Sequence, residues 1–291
     1  MKSNYRKLIF KGAKIIITLV LIYYVFDQIP FFQVIEVLKQ SNLFYLFLGL
    51  LTFVLSQFIS AVRLLQFFHK LGYHLSAKSN YYLYIIGMFY NFFIPGGIGG
   101  DAYKVFLLNK HFNWSAKKLT SAVFVDRIMG LTAIGVLLVI GAFFLKQISS
   151  IPCLKLVLPV LLSLGVLFSY FFVTRLFKVF KCVFSLTLVQ SIMVQLLQCI
   201  SLVCILYAID NTFENWIIYV LVFLISSVLS IFSFAGIGVR EIIFFKAAEW
   251  FVFNEVMSLS VALIFSIYTA LVSFFGVYFI FRKVPLVLKT N

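Results

Sequence analysis

A glycine-rich break, Pro95-Gly96-Gly97-Ile98-Gly99-Gly100-Asp101, with Lys104 one turn later, interrupts a chain that is otherwise almost entirely lipid-soluble. A shorter echo stands near the other end, as Ala235-Gly236-Ile237-Gly238-Val239-Arg240-Glu241. In hydrocarbon every unpaired backbone N–H or C=O is costly. Irregular, charged backbone therefore persists there only where it is buried in protein or lines a wet cavity. Two such breaks, one in each half of the chain, predict a binding site inside the membrane.

Composition sets the solvent. The 291 residues are 63% hydrophobic and 11% charged, with a mean hydropathy of +1.10. A soluble domain carries about 25% charged residues, and several apolar runs here exceed the roughly 18 residues that mark a spanning helix. The alternation of a membrane barrel is absent. The expected class is all-α, a polytopic helical membrane protein in a single integral domain. The net charge of +15 does not point to nucleic acid, because the bases cluster in short loops between spans, where they fix orientation. Cys153, Cys182, Cys199 and Cys204 are scattered and His69, His74 and His111 lie in expected loops. That spacing suggests buried thiols, with no metal, cofactor or disulfide. Lys2, Arg6, Lys7, Lys11 and Lys14 precede the first apolar run, and bulky Phe26-Asp27-Gln28-Ile29-Pro30 follows it where a cleavage site would need small residues. An uncleaved span is expected.

Hydropathy places six spans at 8–26, 43–66, 119–145, 154–174, 186–209 and 257–281. Two apolar stretches, 81–94 and 216–234, each lead into a glycine break and a short second helix, 101–112 and 240–253. If 81–94 crossed fully, Lys104, Lys110, Lys117 and Lys118 would face away from Lys70 and Lys78. Reading both pairs as re-entrant hairpins resolves this. One face then collects the five N-terminal bases with Arg63, Lys70, Lys78, Lys104, Lys110, Lys117, Lys118, Arg175, Lys178, Lys181, Arg282, Lys283 and Lys289, or 18 of the 24 Lys and Arg residues. The other face keeps Lys39, Lys146 and Lys155 beside Asp27, Glu36, Asp210 and Glu214. Both termini are expected to be cytoplasmic, in the inner membrane. Residues 1–145 and 154–283 then share one order of elements with opposite starting sides. That is an inverted repeat, a recurring plan of transporters.

The charged residues suggest the site. Pro95 ends the incoming limb, and the glycines allow another group to approach the backbone. Asp101 is placed to cap the next helix. Lys104 and Arg240 each carry the wrong sign for a helix start, which favours anions. Each therefore calls for a carboxylate or a ligand phosphate, and arginine grips phosphate with two donors. Asp126 and Arg127 lie on the span 119–145 and cannot face each other. The expected partners are Arg240 or Lys104 for Asp126, and Asp101 or Glu241 for Arg127. Arg63 reads as a residue that snorkels to the surface. Gln190, Gln195 and Gln198 read as interhelical hydrogen bonders. The expected headgroup ligands are Arg240, Lys104 and Arg127 with the amides of Gly97, Gly99, Gly100, Gly236 and Gly238, and Asp101, Asp126 and Glu241 complete a charge network. The sequence holds no serine elbow, HExxH or Walker loop, so no catalytic role is expected.

Asn91-Phe92-Phe93-Ile94-Pro95-Gly96-Gly97-Ile98-Gly99-Gly100-Asp101 with Lys104, Asp126-Arg127, and Gly236-Ile237-Gly238-Val239-Arg240-Glu241 resemble the family named for the transmembrane region of lysylphosphatidylglycerol synthase. The resemblance covers essentially the whole chain. It implies an integral membrane protein that binds or flips lipid headgroups, with membrane lipids as its partners. The family often has glutamate where this chain has Asp126. Aminoacyl transfer in the synthase belongs to a separate soluble domain, and the chain stops at Asn291, so that activity is not expected here. The expected function is flippase-like movement of a phospholipid or lipid-linked anionic headgroup. The alternatives are a carrier of polyprenyl-phosphate-linked sugars and a non-transporting scaffold for a lipid-modifying enzyme.

Overall fold

A computed structural model describes residues 31–93, 98–145, 152–209, 215–229, 239–251, 254–282 and 285–289. The expected span 8–26, the hairpin tips with Gly96, Gly97, Gly236 and Gly238, and Asp210 and Glu214 lie outside the described residues. The described chain is helical: α1 Phe31–Gln40, α2 Leu43–Lys70, α3 Ala77–Phe93, α4 Gly99–Phe112, α5 Ala116–Phe143, α6 Pro152–Leu176, α7 Phe184–Ile209, α8 Trp216–Leu229, α9 Val239–Phe251 and α10 Glu255–Arg282. A 3₁₀ turn, Lys178–Val183, joins α6 to α7. Five of these segments, in α2, α5, α6, α7 and α10, are long and apolar enough to cross a membrane. The protein is a polytopic helical membrane protein. Helix α1 is the one described α-helix that the hydropathy reading missed. It is short and amphipathic, and Val37 and Leu38 pack it onto the core.

The limbs of each break pack as an antiparallel hairpin. In the first, Gly100 meets Asn91 and Gly87, and Lys104 meets Gly87 and Tyr84, so numbers fall on α3 as they rise on α4. In the second, Arg240 lies over Phe223 and Phe244 lies beside Tyr219. At 1.5 Å per residue, α4, α8 and α9 reach only about 20 Å, short of a hydrocarbon core of about 30 Å.

The hairpins open from opposite ends of the bundle. The C-terminal end of α2, the α4–α5 loop and the 3₁₀ turn share one cluster, with Phe67 against Phe180 and Tyr73 stacked on Trp114. The feet of the α3–α4 hairpin stand at this end, with Lys78 and Lys110. At the other end the amide of Asn42 donates to the carbonyl of Ala208, and Tyr219 near the start of α8 shares a 2.9 Å hydrogen bond with Ser258 near the start of α10, whose far end, Arg282, lies by Lys78. The feet of the second hairpin stand there.

Small residues let these elements touch. Helices α2 and α7 cross antiparallel where Ser201 Oγ donates to the Gly49 carbonyl at 2.7 Å. A Cβ on Gly276 of α10 would come within 2.7 Å of the Ile85 carbonyl on α3, and one on Gly100 within 1.8 Å of the Gly87 carbonyl. Gly130 on α5 has nothing within 4 Å of that position. Gly100→Ala should therefore prise the first hairpin apart and cost about 1–3 kcal/mol by overpacking. Gly130→Ala should be neutral or mildly stabilising, since alanine favours helix. Thermal unfolding of the two variants in detergent checks the contrast.

Candidate functional site

The first charge cluster joins α2, α4, α5 and α7. Asp126 on α5 takes the guanidinium of Arg63 as a fork, from Nε to Oδ1 at 2.7 Å and from Nη2 to Oδ2 at 3.1 Å. The remaining nitrogen, Nη1, donates to Ser191 Oγ on α7 at 2.7 Å, and Ser191 donates onward to the Thr187 carbonyl. Arg63 is 6% exposed. It does not snorkel, and Asp126 is not paired with Arg240 or Lys104 as expected. The reason is the helix end. Helix α2 continues to Lys70, about two turns beyond Arg63, and Ser56, Gln57, Ser60 and Arg63 share its buried face.

Asp101, in the first turn of α4, holds two cations. It accepts from Lys104 Nζ at 3.0 Å and from Arg127 Nε at 2.5 Å. Arg127 thus meets one of its two expected partners. The wrong-sign charge of Lys104 at a helix start is offset by a carboxylate three residues earlier, and its Nζ lies 5.0 Å from the centre of the Tyr84 ring. Asp101 does not cap α4. The amide of Gly100 is taken instead by Asn91 Oδ1 on the incoming limb at 2.8 Å. Gly100 is therefore a point of close approach, with its amide already engaged, and not the headgroup donor expected; Gly99 begins the helix. Arg63, Lys104 and Arg127 outnumber Asp101 and Asp126 by one positive charge. Arg127, with a side chain 31% exposed, is the member that reaches furthest from the core.

The second group sits on the other hairpin. Arg240, in the first turn of α9, is 9% exposed. Its guanidinium lies between two rings, 4.8 Å from the centre of Phe265 and 5.6 Å from that of Phe223. Among the described residues no carboxylate lies within ion-pair distance of it, and its Nε has no hydrogen-bond partner. Its one polar contact is a long bond from Nη1 to Ser266 Oγ at 3.4 Å. Ser266 in turn donates to Glu241 Oε1 at 2.8 Å. Neighbours in sequence, Arg240 and Glu241 thus share a serine without pairing directly.

Sequence reasoning missed Arg63, Ser191 and Asn91 as members of the first cluster and Ser266 as a member of the second. Small hydroxyls at helical spacing were the available signal: Ser56 and Ser60 ahead of Arg63 on α2, and Thr187 and Ser191 on α7. Of the expected glutamine bonds, Gln198 reaches Ser56 at 3.5 Å, while Gln190 and Gln195 keep buried oxygens without partners. Removing one member of a buried ion pair strands the other and typically costs about 3–5 kcal/mol. Asp126→Asn should therefore lower thermal stability in detergent sharply. Arg63→Met with Asp126→Leu should recover most of the loss, since apolar replacement of a whole pair is often neutral. Recovery no better than the single variants would show that the pair is not the dominant tie.

The profile of the family described as Lysylphosphatidylglycerol synthase TM region matches residues 12–276, which include both hairpins and the Asp126-Arg127 span. No curated protein matches the chain. With both glycine breaks and all the clustered charges inside a match of this length, the chain belongs to the lysylphosphatidylglycerol synthase transmembrane-region family.

Proposed function

We propose that the protein binds the phosphate-bearing headgroup of a membrane lipid at its two hairpins and moves it between leaflets. The observation that carries this is Arg240. A cation removed from water is costly unless it is paired, and this one has aromatic faces and a single long hydrogen bond. A lipid phosphate would occupy the unfilled donors and accept a bidentate grip. Family membership supports an integral membrane protein.

In this reading Arg240 takes the phosphate near the second hairpin. Arg127 and Lys104 offer the matching cations at the first. Asp101 and Glu241 balance those bases or meet an amino group on the headgroup. The halves 1–145 and 154–283 act as an inverted repeat in the inner membrane with cytoplasmic termini, each hairpin serving one leaflet. No covalent step is involved.

Reconstitution into liposomes with a fluorescent phospholipid tests this. Wild-type protein should expose outer- and inner-leaflet lipid to quencher, and Arg240→Ala should weaken headgroup binding by about ten- to a hundredfold, the value of a charged hydrogen bond. Arg240→Lys should rescue in part, since the fork is lost. Full lipid movement by a well-folded Arg240→Ala protein would reject the proposal.

A further inference from the structure

A second basic site stands apart from these clusters, at the end of the bundle where α2 stops and α3 starts. A cavity of about 880 Å³ opens there. One wall is the strip 285–289. Its backbone is strapped to the α2–α3 loop by an antiparallel bridge between Leu75 and Leu288, with Ser76 N–H donating to the Val287 carbonyl at 3.0 Å and Lys289 N–H to the His74 carbonyl at 2.8 Å. This strap brings Lys78 together with Arg282 and Lys289 from the other end of the chain, around one concavity. No acidic residue lines it.

All three are exposed, and Arg282 also meets the hydroxyl and ring of Tyr278, so an anion seated in the concavity would face cations on more than one side. The cavity also offers a hydroxyl. Ser76 Oγ and Ser79 Oγ are 2.9 Å apart, and each also accepts a backbone amide, from Ser79 and Val287 respectively. The pair carries two hydroxyl hydrogens and uses one between them, so the other is left for an oxyanion. Leu65, Tyr82 and Phe279 add apolar lining, with the Tyr82 and Phe279 rings 4.5 Å apart.

Charges at the rim, a hydroxyl within and hydrocarbon beside them match an amphiphile with an anionic phosphate head. We infer that this cavity is a fixed binding site for an anionic phospholipid, separate from the moving headgroup at Arg240. The phosphate lies among Lys78, Arg282, Lys289 and the Ser76–Ser79 pair, and an acyl chain follows Tyr82 and Phe279. The lipid ties the strap to α2, α3 and α10, and so fixes the feet of the first hairpin.

The test uses the full chain, purified in a neutral detergent, with phosphatidylglycerol, phosphatidylcholine and inorganic phosphate as separate probes. Binding is read by native mass spectrometry and thermal unfolding. Wild-type protein should retain phosphatidylglycerol and be stabilised by it in preference to phosphatidylcholine. The combined variant Lys78→Gln, Arg282→Gln and Lys289→Gln should bind phosphatidylglycerol about a hundredfold more weakly, each basic residue contributing about fivefold. A control that removes the same charge from the same face, Lys117→Gln, Lys118→Gln and Lys181→Gln, should retain it. Equal losses in control and variant would reduce the effect to a generally basic face and overturn the site. Undiminished binding by the variant would overturn it too. Stabilisation by inorganic phosphate but not by phosphatidylglycerol would overturn a lipid as the ligand. Arg240 lies outside this cavity, so these outcomes leave the transport reading independently testable.

Discussion

A guanidinium and a carboxylate set two turns inside an apolar bundle must meet, because either alone would carry an uncompensated charge into the interior. Arg63 and Asp126 do so as a fork, and Ser191 holds the third nitrogen. The three residues come from α2, α5 and α7, so the contact fixes how these long helices cross. The first hairpin then seats against α5 through Arg127 and Asp101. Close packing supplies the rest. Gly100 lies against Gly87, and Gly276 lies against the backbone of α3, where any side chain would collide. The polar contacts therefore select the register, and the small residues permit the approach it requires.

The two hairpins solve the same problem differently. On the first, Lys104 and Arg127 share the single carboxylate of Asp101, so each cation has a partner while the helix start keeps a net positive charge. On the second, Arg240 is buried under Phe223 and Phe265, and the acid beside it in sequence is turned to Ser266. At the first site each cation meets a carboxylate directly; at the second the guanidinium has one long hydrogen bond and a carboxylate close by but not in contact. In the proposed transport, the loosely satisfied cation is the one a ligand would change most.

Much of the architecture was legible in the sequence, because hydropathy and glycine breaks act locally. The described spans match their expected positions to within a few residues, and the short second limbs, 101–112 and 240–253, appear as Gly99–Phe112 and Val239–Phe251. Pairing was less legible, because it depends on which helices cross. Arg63 lies three residues from the expected span end at 66 and reads as a surface residue; the helix runs on to Lys70, and Arg63 is buried on its inner face. Asp101 looked like a cap, but Asn91, nine residues earlier, reaches the free amide first across the hairpin. Helix α1 escaped because its ten residues are amphipathic and too short for a span.

Access from both leaflets requires that the hairpins open on opposite sides of the membrane, and this is the claim on which the transport account stands. It is tested most directly by single cysteines at Lys110, Lys178 and Glu255, in a background lacking the four native cysteines, with an impermeant thiol reagent applied to intact cells. The account predicts that Lys110→Cys and Lys178→Cys are labelled only after the membrane is opened, and that Glu255→Cys is labelled from outside. Labelling of Lys110→Cys and Glu255→Cys from the same side would contradict it.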